Sequence, residues 1–361
     1  MFGSSAFGST SSGGITKPTN TNNSAEVPQT PTDTISAIAW SPCANVFAAA
    51  SWDKQVRVWE VQAAMGNSVT VLPRFAYSHE APVLCVAFTK DGQNVLSGGC
   101  DNKVKMFNVA TQKDQVIGTH DAPVKEIAWC DELKMCVTGS WDKTLRFWNG
   151  TSPTAVATLQ LPERVYAMDL KYPMLAVALA DKRVVLYNLM SIQSNPNPYK
   201  TMETKLKLQL RSISCYPDKT GYVVGGIEGR CGVCTIDDAS KSFEFKCHRT
   251  NDEIHPVNSI DFHPMGTFVT AGSDGCLFIW DKDTKNRVKA FNSVNYPITC
   301  CKFSAQGDYL AYGIGYDWSK GHENSNPSIP VKLYVHKLNE ADVKSSKSLV
   351  NTSSNSSFRR R

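Results

Sequence analysis

The stretch GSWDKTLRFW, residues 139–148, has a near copy upstream at residues 50–59, ASWDKQVRVW. In both copies an aspartate, Asp142 or Asp53, directly follows one tryptophan and precedes a second tryptophan by six positions. Apolar and polar residues alternate after each aspartate, a pattern typical of a β-strand. The repetition indicates that one structural unit recurs along the chain.

The unit occurs seven times. Its acidic turn residues are 39 to 48 residues apart, and they are Asp53, Asp101, Asp142, Asp181, Glu228, Asp274 and Asp317. Another strand-like run precedes each of them, and no long helical pattern separates the units. A period of about 40 to 45 residues with several strands is typical of the blades of a WD-type β-propeller. The sequence therefore predicts an all-β protein, a single seven-bladed WD40 propeller over residues 33–338.

The two ends of the chain differ from the repeats. Residues 1–32 begin with a Ser/Thr/Gly-rich stretch that contains two Phe-Gly dipeptides, and residues 339–361 are rich in Ser and Asn and end in three arginines. Their composition predicts disordered tails. Because an open ring would expose strand edges, we expect a strand from within residues 20–32 to pair with the last blade.

Composition and motifs narrow the function. Of the 361 residues 42% are hydrophobic, enough for a large core, yet no run of about 18 apolar residues or secretory signal occurs. This predicts a cytosolic or nuclear protein without membrane insertion, in which the 12 cysteines stay reduced. Cys231 and Cys234 lack a second ligand pair, so we expect no metal site. Without a nucleophile elbow, phosphate loop or metalloprotease motif, we expect no enzyme and no cofactor.

The acidic turn residue is expected to belong to a buried polar string. Its carboxylate can accept from a histidine in the loop that enters the blade, the histidine reaches a hydroxyl on the second strand, and the hydroxyl meets the Trp indole. The third blade has all four members, His120, Thr138, Asp142 and Trp148. The sixth blade is predicted to use His255, Thr270, Asp274 and Trp280. The second blade has His79, Ser97 and Asp101 with Phe107 as its aromatic, and the other four blades lack the histidine.

Basic residues cluster around the same turns. They are Lys54, Lys103, Lys143, Lys182, Arg183 and Arg230, and the loops that enter the blades add Arg164 and Arg249. All these turns and loops open at one end of a propeller, so this end should be positive. Either the Asp-Lys turns are ordinary solvated turns, or they form a footprint for phosphate or an acidic peptide. Trp52 and Trp141 occupy a position where the fold needs no Trp, so each packs on a neighbour or on a partner.

The seventh unit carries an insertion of about 11 residues at this end. From Asp317 the next aromatic residue at a strand position is Tyr334, 17 residues on instead of six. The insertion contains Trp318, Lys320 and His322. Since long loops on a rigid scaffold often bind partners, we expect a binding role here, with a passive loop as the alternative.

Several stretches together resemble a known family. They are HDAPVK (120–125), TGSWDKTLRFW (138–148), LQLPERVY (159–166), FKCHR (245–249), GSDGCLFIWDKD (272–283) and YDWSKGHE (316–323). The chain is similar, over residues 33–338, to the WD-repeat mRNA export factors of the nuclear pore, the Rae/Gle family. The resemblance implies a non-enzymatic adaptor that binds the GLEBS motif of the GLFG-repeat nucleoporin and associates, directly or indirectly, with mRNA or mRNP. It also implies a location at the nucleus and nuclear pore with cytoplasmic shuttling.

The resemblance also assigns candidate partner-binding residues. By position these are Trp141, Lys143, Arg164, Arg230, Arg249, Trp318 and Lys320, and His322 of the insertion is added to them. Two alternatives remain open. One is a mitotic-checkpoint or spindle WD-repeat scaffold, similar in architecture, that holds checkpoint kinases. The other is a direct single-stranded RNA-binding protein in which Trp52, Trp141 and Trp318 stack on bases.

Overall fold

The computed structural model describes residues 22–64, 68–250, 252–326 and 328–345, and it confirms the seven-bladed propeller. Within these ranges 28 strands form seven four-stranded antiparallel sheets, one for each blade. In blades 1 to 6 the four strands follow one another in the chain from the innermost, which borders the central channel, to the outermost. In blade 7 the three inner strands follow the same order, and the outermost strand comes from the N-terminal segment. No helix among the described residues is long and apolar enough to cross a membrane.

The strands of the first four blades are short and run in chain order from the channel outward. Blade 1 contains β2 (Ile35–Trp40), β3 (Val46–Ser51), β4 (Gln55–Ala63) and β5 (Val69–Ser78). Blade 2 contains β6 (Val83–Phe88), β7 (Asn94–Gly99), β8 (Lys103–Asn108) and β9 (Lys113–Thr119). Blade 3 contains β10 (Val124–Cys130), β11 (Met135–Ser140), β12 (Thr144–Trp148) and β13 (Ala157–Gln160). Blade 4 contains β14 (Val165–Lys171), β15 (Met174–Leu179), β16 (Arg183–Asn188) and β17 (Lys200–Glu203).

The remaining three blades complete the ring. Blade 5 contains β18 (Leu210–Cys215), β19 (Gly221–Gly226), β20 (Arg230–Thr235) and β21 (Phe243–Lys246). Blade 6 contains β22 (Val257–Phe262), β23 (Thr267–Gly272), β24 (Leu277–Asp281) and β25 (Asn286–Ala290). Blade 7 contains β26 (Ile298–Phe303), β27 (Tyr309–Ile314), β28 (Lys332–Lys337) and, on its outer edge, β1 (Ala25–Glu26). The core lies between neighbouring blades, so the second strands are buried on both faces; all six residues of β15 are buried.

The N-terminal segment closes the ring with a strand that lies within residues 20–32, as expected. Strand β1 pairs antiparallel with β28, with Ala25 opposite Val335. The carbonyl of Pro28 then accepts a hydrogen bond from the indole of Trp59 at 2.8 Å. The same segment thus covers the edge of blade 7 and satisfies the aromatic residue of blade 1, which has no histidine string.

The C-terminal segment is also packed beyond residue 338, which corrects the predicted boundary of the second tail. Helix α1 (Glu340–Val343) lies against blade 6. Val343 is buried, and its carbonyl accepts from Thr267 Oγ1 at 2.8 Å. Lys289 Nζ lies 2.8 Å from the Asp342 carboxylate. Residues 1–21 and 346–361 of the predicted tails lie outside the described residues.

The polar string joins the strands of blade 3. His120 Nδ1 lies 2.8 Å from Asp142 Oδ2, and its Nε2 lies 2.7 Å from Thr138 Oγ1. The Trp148 indole donates to the same hydroxyl at 2.8 Å. Every member is partnered, which removes the penalty for burying unpaired polar groups.

In blade 2 the hydroxyl of the polar string accepts its hydrogen bond from a tyrosine instead of a tryptophan. His79 bridges Asp101 and Ser97 at 2.8 Å each. Where blade 3 has an indole, the Tyr77 hydroxyl donates to Ser97 Oγ at 2.8 Å, and Phe107 stacks on Tyr77 with ring centroids 4.7 Å apart.

In blade 6 the prediction of His255 was wrong, because the histidine of the string is His248. His248 lies 2.8 Å from both Asp274 and Thr270, and the Trp280 indole donates to Thr270 at 2.9 Å. In blades 2 and 3 the histidine precedes the inner strand by four residues, whereas His248 precedes Val257 by nine. The loop is longer here, with a β-bridge between Arg249 and Ile254, and His255 lies beyond that bridge, 3.4 Å from Glu253.

Candidate partner-binding face

The turns between the second and third strands of all blades lie at one end of the propeller. We call this end the turn face, and it carries the seven acidic residues Asp53, Asp101, Asp142, Asp181, Glu228, Asp274 and Asp317. The residue after each acid has a left-handed φ between 59° and 73°; these residues are Lys54, Asn102, Lys143, Lys182, Gly229, Gly275 and Trp318. Gly and Asn adopt this conformation readily, whereas a bulky side chain there marks a constrained site. Trp318 is the only aromatic residue of the seven.

The aromatic residues of the turn face pack partly on one another. Trp52 stacks on Trp318 with ring centroids 5.1 Å apart, and Tyr316 contacts Trp318 at 5.5 Å. Trp52 therefore packs on a neighbour, one of the two outcomes left open by the sequence. The indole Nε1 atoms of Trp141 and Trp318 are buried and have no acceptor among the described residues. Buried donors without a partner are rare in native proteins.

A cavity of about 1190 Å³ opens on the turn face between blades 3 and 7. Four of the predicted partner-binding residues line it, namely Trp141, Arg164, Trp318 and Lys320. Ile254, which is 56% exposed, adds an apolar side chain to the same wall. Within the described ranges, no carboxylate lies within ion-pair distance of Arg164 or Lys320. The cavity thus combines aromatic surface with two cations that form no ion pair among the described residues.

The other four predicted residues lie outside the lining of this cavity. Lys143 Nζ is 2.9 Å from the Glu163 carboxylate, and Arg230 lies 3.8 Å from Glu244. The Arg249 guanidinium donates to the backbone carbonyls of Glu228 and Gly229, at 2.6 and 3.1 Å. His322 lies in a short 3-10 turn, His322–Asn324, and is exposed. Three of these four side chains therefore already have an intramolecular partner.

Sequence reasoning missed a ring of residues at the mouth of the channel. Every innermost strand has a β-bulge at its second residue. The bulged residues are Ser36, Leu84, Lys125, Tyr166, Arg211, Asn258 and Thr299. A bulge redirects a side chain, and the bulges of blades 3 to 5 place Lys125, Tyr166 and Arg211 in the lining of the turn-face cavity. An alignment of the seven inner strands could have found them, because the position is the same in each.

Below this mouth the central channel forms a second cavity of about 710 Å³, and Lys125 and Arg211 line both cavities. Charges in the channel are largely paired: Lys302 Nζ is 2.6 Å from Asp261, and Lys125 Nζ is 2.5 Å from Glu126. Burial raises the pKa of Glu126, against the opposing effect of Lys125. Lys125 and Lys302 in the channel are thus paired, whereas Arg164 and Lys320 in the turn-face cavity form no ion pair among the described residues.

Fold and site together define a WD-repeat propeller with an aromatic and cationic cavity on its turn face. The model of the WD domain, G-beta repeat, matches residues 25–60, 68–108, 112–149 and 240–281. A relative in Schizosaccharomyces pombe, named poly(A)+ RNA export protein, is 40% identical over 94% of this chain and 98% of its own length. The Chaetomium thermophilum mRNA export factor GLE2 is 39% identical over 91% and 94% of the two chains, and the Arabidopsis thaliana protein RAE1 is 42% identical over 91% and 95%.

The chain belongs to the Rae/Gle family of WD-repeat mRNA export factors. Membership of this family supports a role in mRNA export.

Proposed function

We propose that the protein is a non-enzymatic adaptor of mRNA export whose turn face binds a GLEBS-type acidic segment of the GLFG-repeat nucleoporin. The observation that carries the proposal is the turn-face cavity, where Arg164 and Lys320 have no carboxylate partner and lie beside Trp141 and Trp318. An acidic segment with apolar side chains would pair with the cations and cover the aromatic rings. A few such anchors supply most of the affinity of a protein interface, and charge complementarity accelerates the encounter.

In this proposal the adaptor works at the nuclear pore and shuttles to the cytoplasm, and mRNP is reached through or beside the nucleoporin. Direct stacking of RNA bases is less well supported than peptide binding, because Trp52 and Trp318 already stack on each other at 5.1 Å. Checkpoint kinases or spindle proteins with a related acidic motif would use the same cavity. The partners differ in identity, but the chemistry of recognition is shared.

The test is charge reversal of Arg164 and Lys320, the two cavity cations without an ion pair among the described residues. In the Arg164→Glu/Lys320→Glu protein we expect the affinity for a synthetic nucleoporin segment, measured by calorimetry, to fall at least about tenfold, or ~1.4 kcal/mol. The melting temperature should stay close to that of the wild type, since neither side chain has an ion-pair partner to lose.

The matched control is Lys113→Glu/Lys219→Glu, which makes the same charge change at the opposite end of the propeller, at two lysines that form no ion pair among the described residues. It should bind the segment normally. Equal affinity in both double variants would contradict the proposal. A nuclease-treated pull-down scored separately for RNA would distinguish direct RNA binding.

A further inference from the structure

The carboxylate of Asp317 has different hydrogen-bond partners from the turn carboxylates of blades 2, 3 and 6. In blades 2, 3 and 6 the turn carboxylate accepts from the histidine of its own polar string. In blade 7 it points instead into blade 6, where Asp317 Oδ2 accepts from Ser273 Oγ and, at 3.2 Å, from Asn258 Nδ2. Asp317 is only 3% exposed, so these polar contacts take the place of water.

Arg211 reaches the same residue from blade 5. Its Nη2 donates to the backbone carbonyl of Asp317 at 2.7 Å, across an interval of 106 residues and past the whole of blade 6. Both Arg211 and Asn258 are bulged residues of innermost strands, and this is why their side chains turn to the channel mouth instead of into the blade. Two residues of the channel wall therefore meet at the root of the seventh-blade insertion.

The residues that follow Asp317 depend on its position. Trp318 takes the left-handed conformation, with φ 60°, directly after it. The Ser319 amide donates to Asp317 Oδ1 at 3.1 Å, and the Gly321 amide donates to the Trp318 carbonyl at 3.1 Å. A bulky residue in this region persists only where the surroundings hold it there. The contacts of Arg211 and Asn258 supply such a hold on the side away from solvent.

We propose that Arg211 and Asn258 are positioning residues that hold segment 316–321, and with it Trp318, in the conformation that binds the partner. The inference rests on the proposed function of the turn face and deepens it, since it assigns a role to two side chains inside the channel mouth. Arg211 acts through the Asp317 carbonyl. Loss of the Arg211 side chain in the channel wall should therefore alter the conformation of Trp318 on the turn face.

The test combines peptide binding with a cycle of two substitutions. Arg211→Met removes the guanidinium and should weaken binding of the synthetic nucleoporin segment about tenfold, or ~1.4 kcal/mol. In the Trp318→Ala background the same substitution should have little further effect, because the side chain that Arg211 holds in place is no longer there. Additive losses would overturn the inference, since they would mean that Arg211 contacts the partner itself.

Hydrogen exchange of the full-length protein without peptide provides a readout that does not depend on binding. The amides of Ser319 and Gly321 should exchange at least about tenfold faster in the Arg211→Met and Asn258→Ala proteins, while amides of β15 keep their wild-type rates. Lys171→Met is the matched control, because it removes another channel cation that has no contact with the insertion. Arg211→Lys, which keeps a charged donor, should restore part of the protection.

The two failures are distinguishable. A wild-type protein that does not bind the segment would overturn the proposed function. Unchanged exchange at Ser319 and Gly321 in folded Arg211→Met and Asn258→Ala proteins would overturn this inference. If Arg211→Met does not fold, the Asn258→Ala protein carries the same comparison.

Discussion

The contact between Gly118 and Trp148 makes a quantitative test of how blades 2 and 3 pack. A Cβ atom added at Gly118 would lie closer than 3.0 Å to the six-membered ring of Trp148. Gly118→Ala should therefore destabilise the wild type by about 1–3 kcal/mol through overpacking. Trp148→Phe should cost about 2–4 kcal/mol, since it removes the 2.8 Å hydrogen bond to Thr138, worth about 1 kcal/mol, and leaves a void.

The two changes should compensate each other. Phe lacks the outer ring atoms that the added methyl group would meet, so the double variant should be about 1–2 kcal/mol more stable than the sum of the single losses predicts. Differential scanning calorimetry and urea unfolding of the four proteins measure this coupling. Strictly additive losses would refute the reasoning, because they would mean that the indole does not fill the space beside Gly118.

Two further predictions concern acid and the N-terminal segment. Burial lowers the pKa of His263 below its ordinary value of 6.5, so the folded state prefers the neutral ring and stability should decline as the pH falls below about 6.5; the decline should be smaller in His263→Gln protein. Burial opposes ionisation of Asp142, but hydrogen bonds from His120 and Thr144 lower its pKa, so its contribution is complete above about pH 4 and is lost in stronger acid. Melting temperatures from pH 7 to 3 check both, and a pH-independent melting temperature would contradict them. Deletion of residues 1–28 should lower the melting temperature by several degrees relative to deletion of residues 1–21, because it removes β1 and the Pro28 carbonyl that partners Trp59. Equal melting temperatures of the two truncated proteins would show that closure does not stabilise the ring.

The sequence was sufficient for the fold because a propeller is repetitive. Seven acidic turns at intervals of 39 to 48 residues specify seven units, and the third-blade string follows from the spacing of its four members. The sequence did not predict the polar string correctly in blade 6, where the loop before the inner strand is longer than in blades 2 and 3. Extra residues after His248 moved His255 away from Asp274, and spacing alone could not show which histidine reaches the carboxylate.

The site was harder to predict because its residues meet across blades. The sequence singled out Trp141, Arg164, Trp318 and Lys320, and the structure brings these four to one cavity. It did not indicate Arg211, which reaches Asp317 only after the ring has closed. The partner of the Trp59 indole was also hidden, because Pro28 lies in a segment that resembles a tail.

Among the described residues, blade 7 combines the shortest outer strand with the longest connection between two strands. Its outer strand β1 has only two residues and belongs to a distant part of the chain, so the blade is held less by its own ladder than the others are. The contacts of Asp317 with blades 5 and 6, and of Trp318 with Trp52 in blade 1, supply the missing connections. Asp317 and Trp318, which connect blade 7 to its neighbours, thus also line the turn-face cavity that we propose binds the partner. A partner that binds Trp318 would accordingly stabilise the closed ring. The melting temperature of the protein should therefore rise with the concentration of the partner.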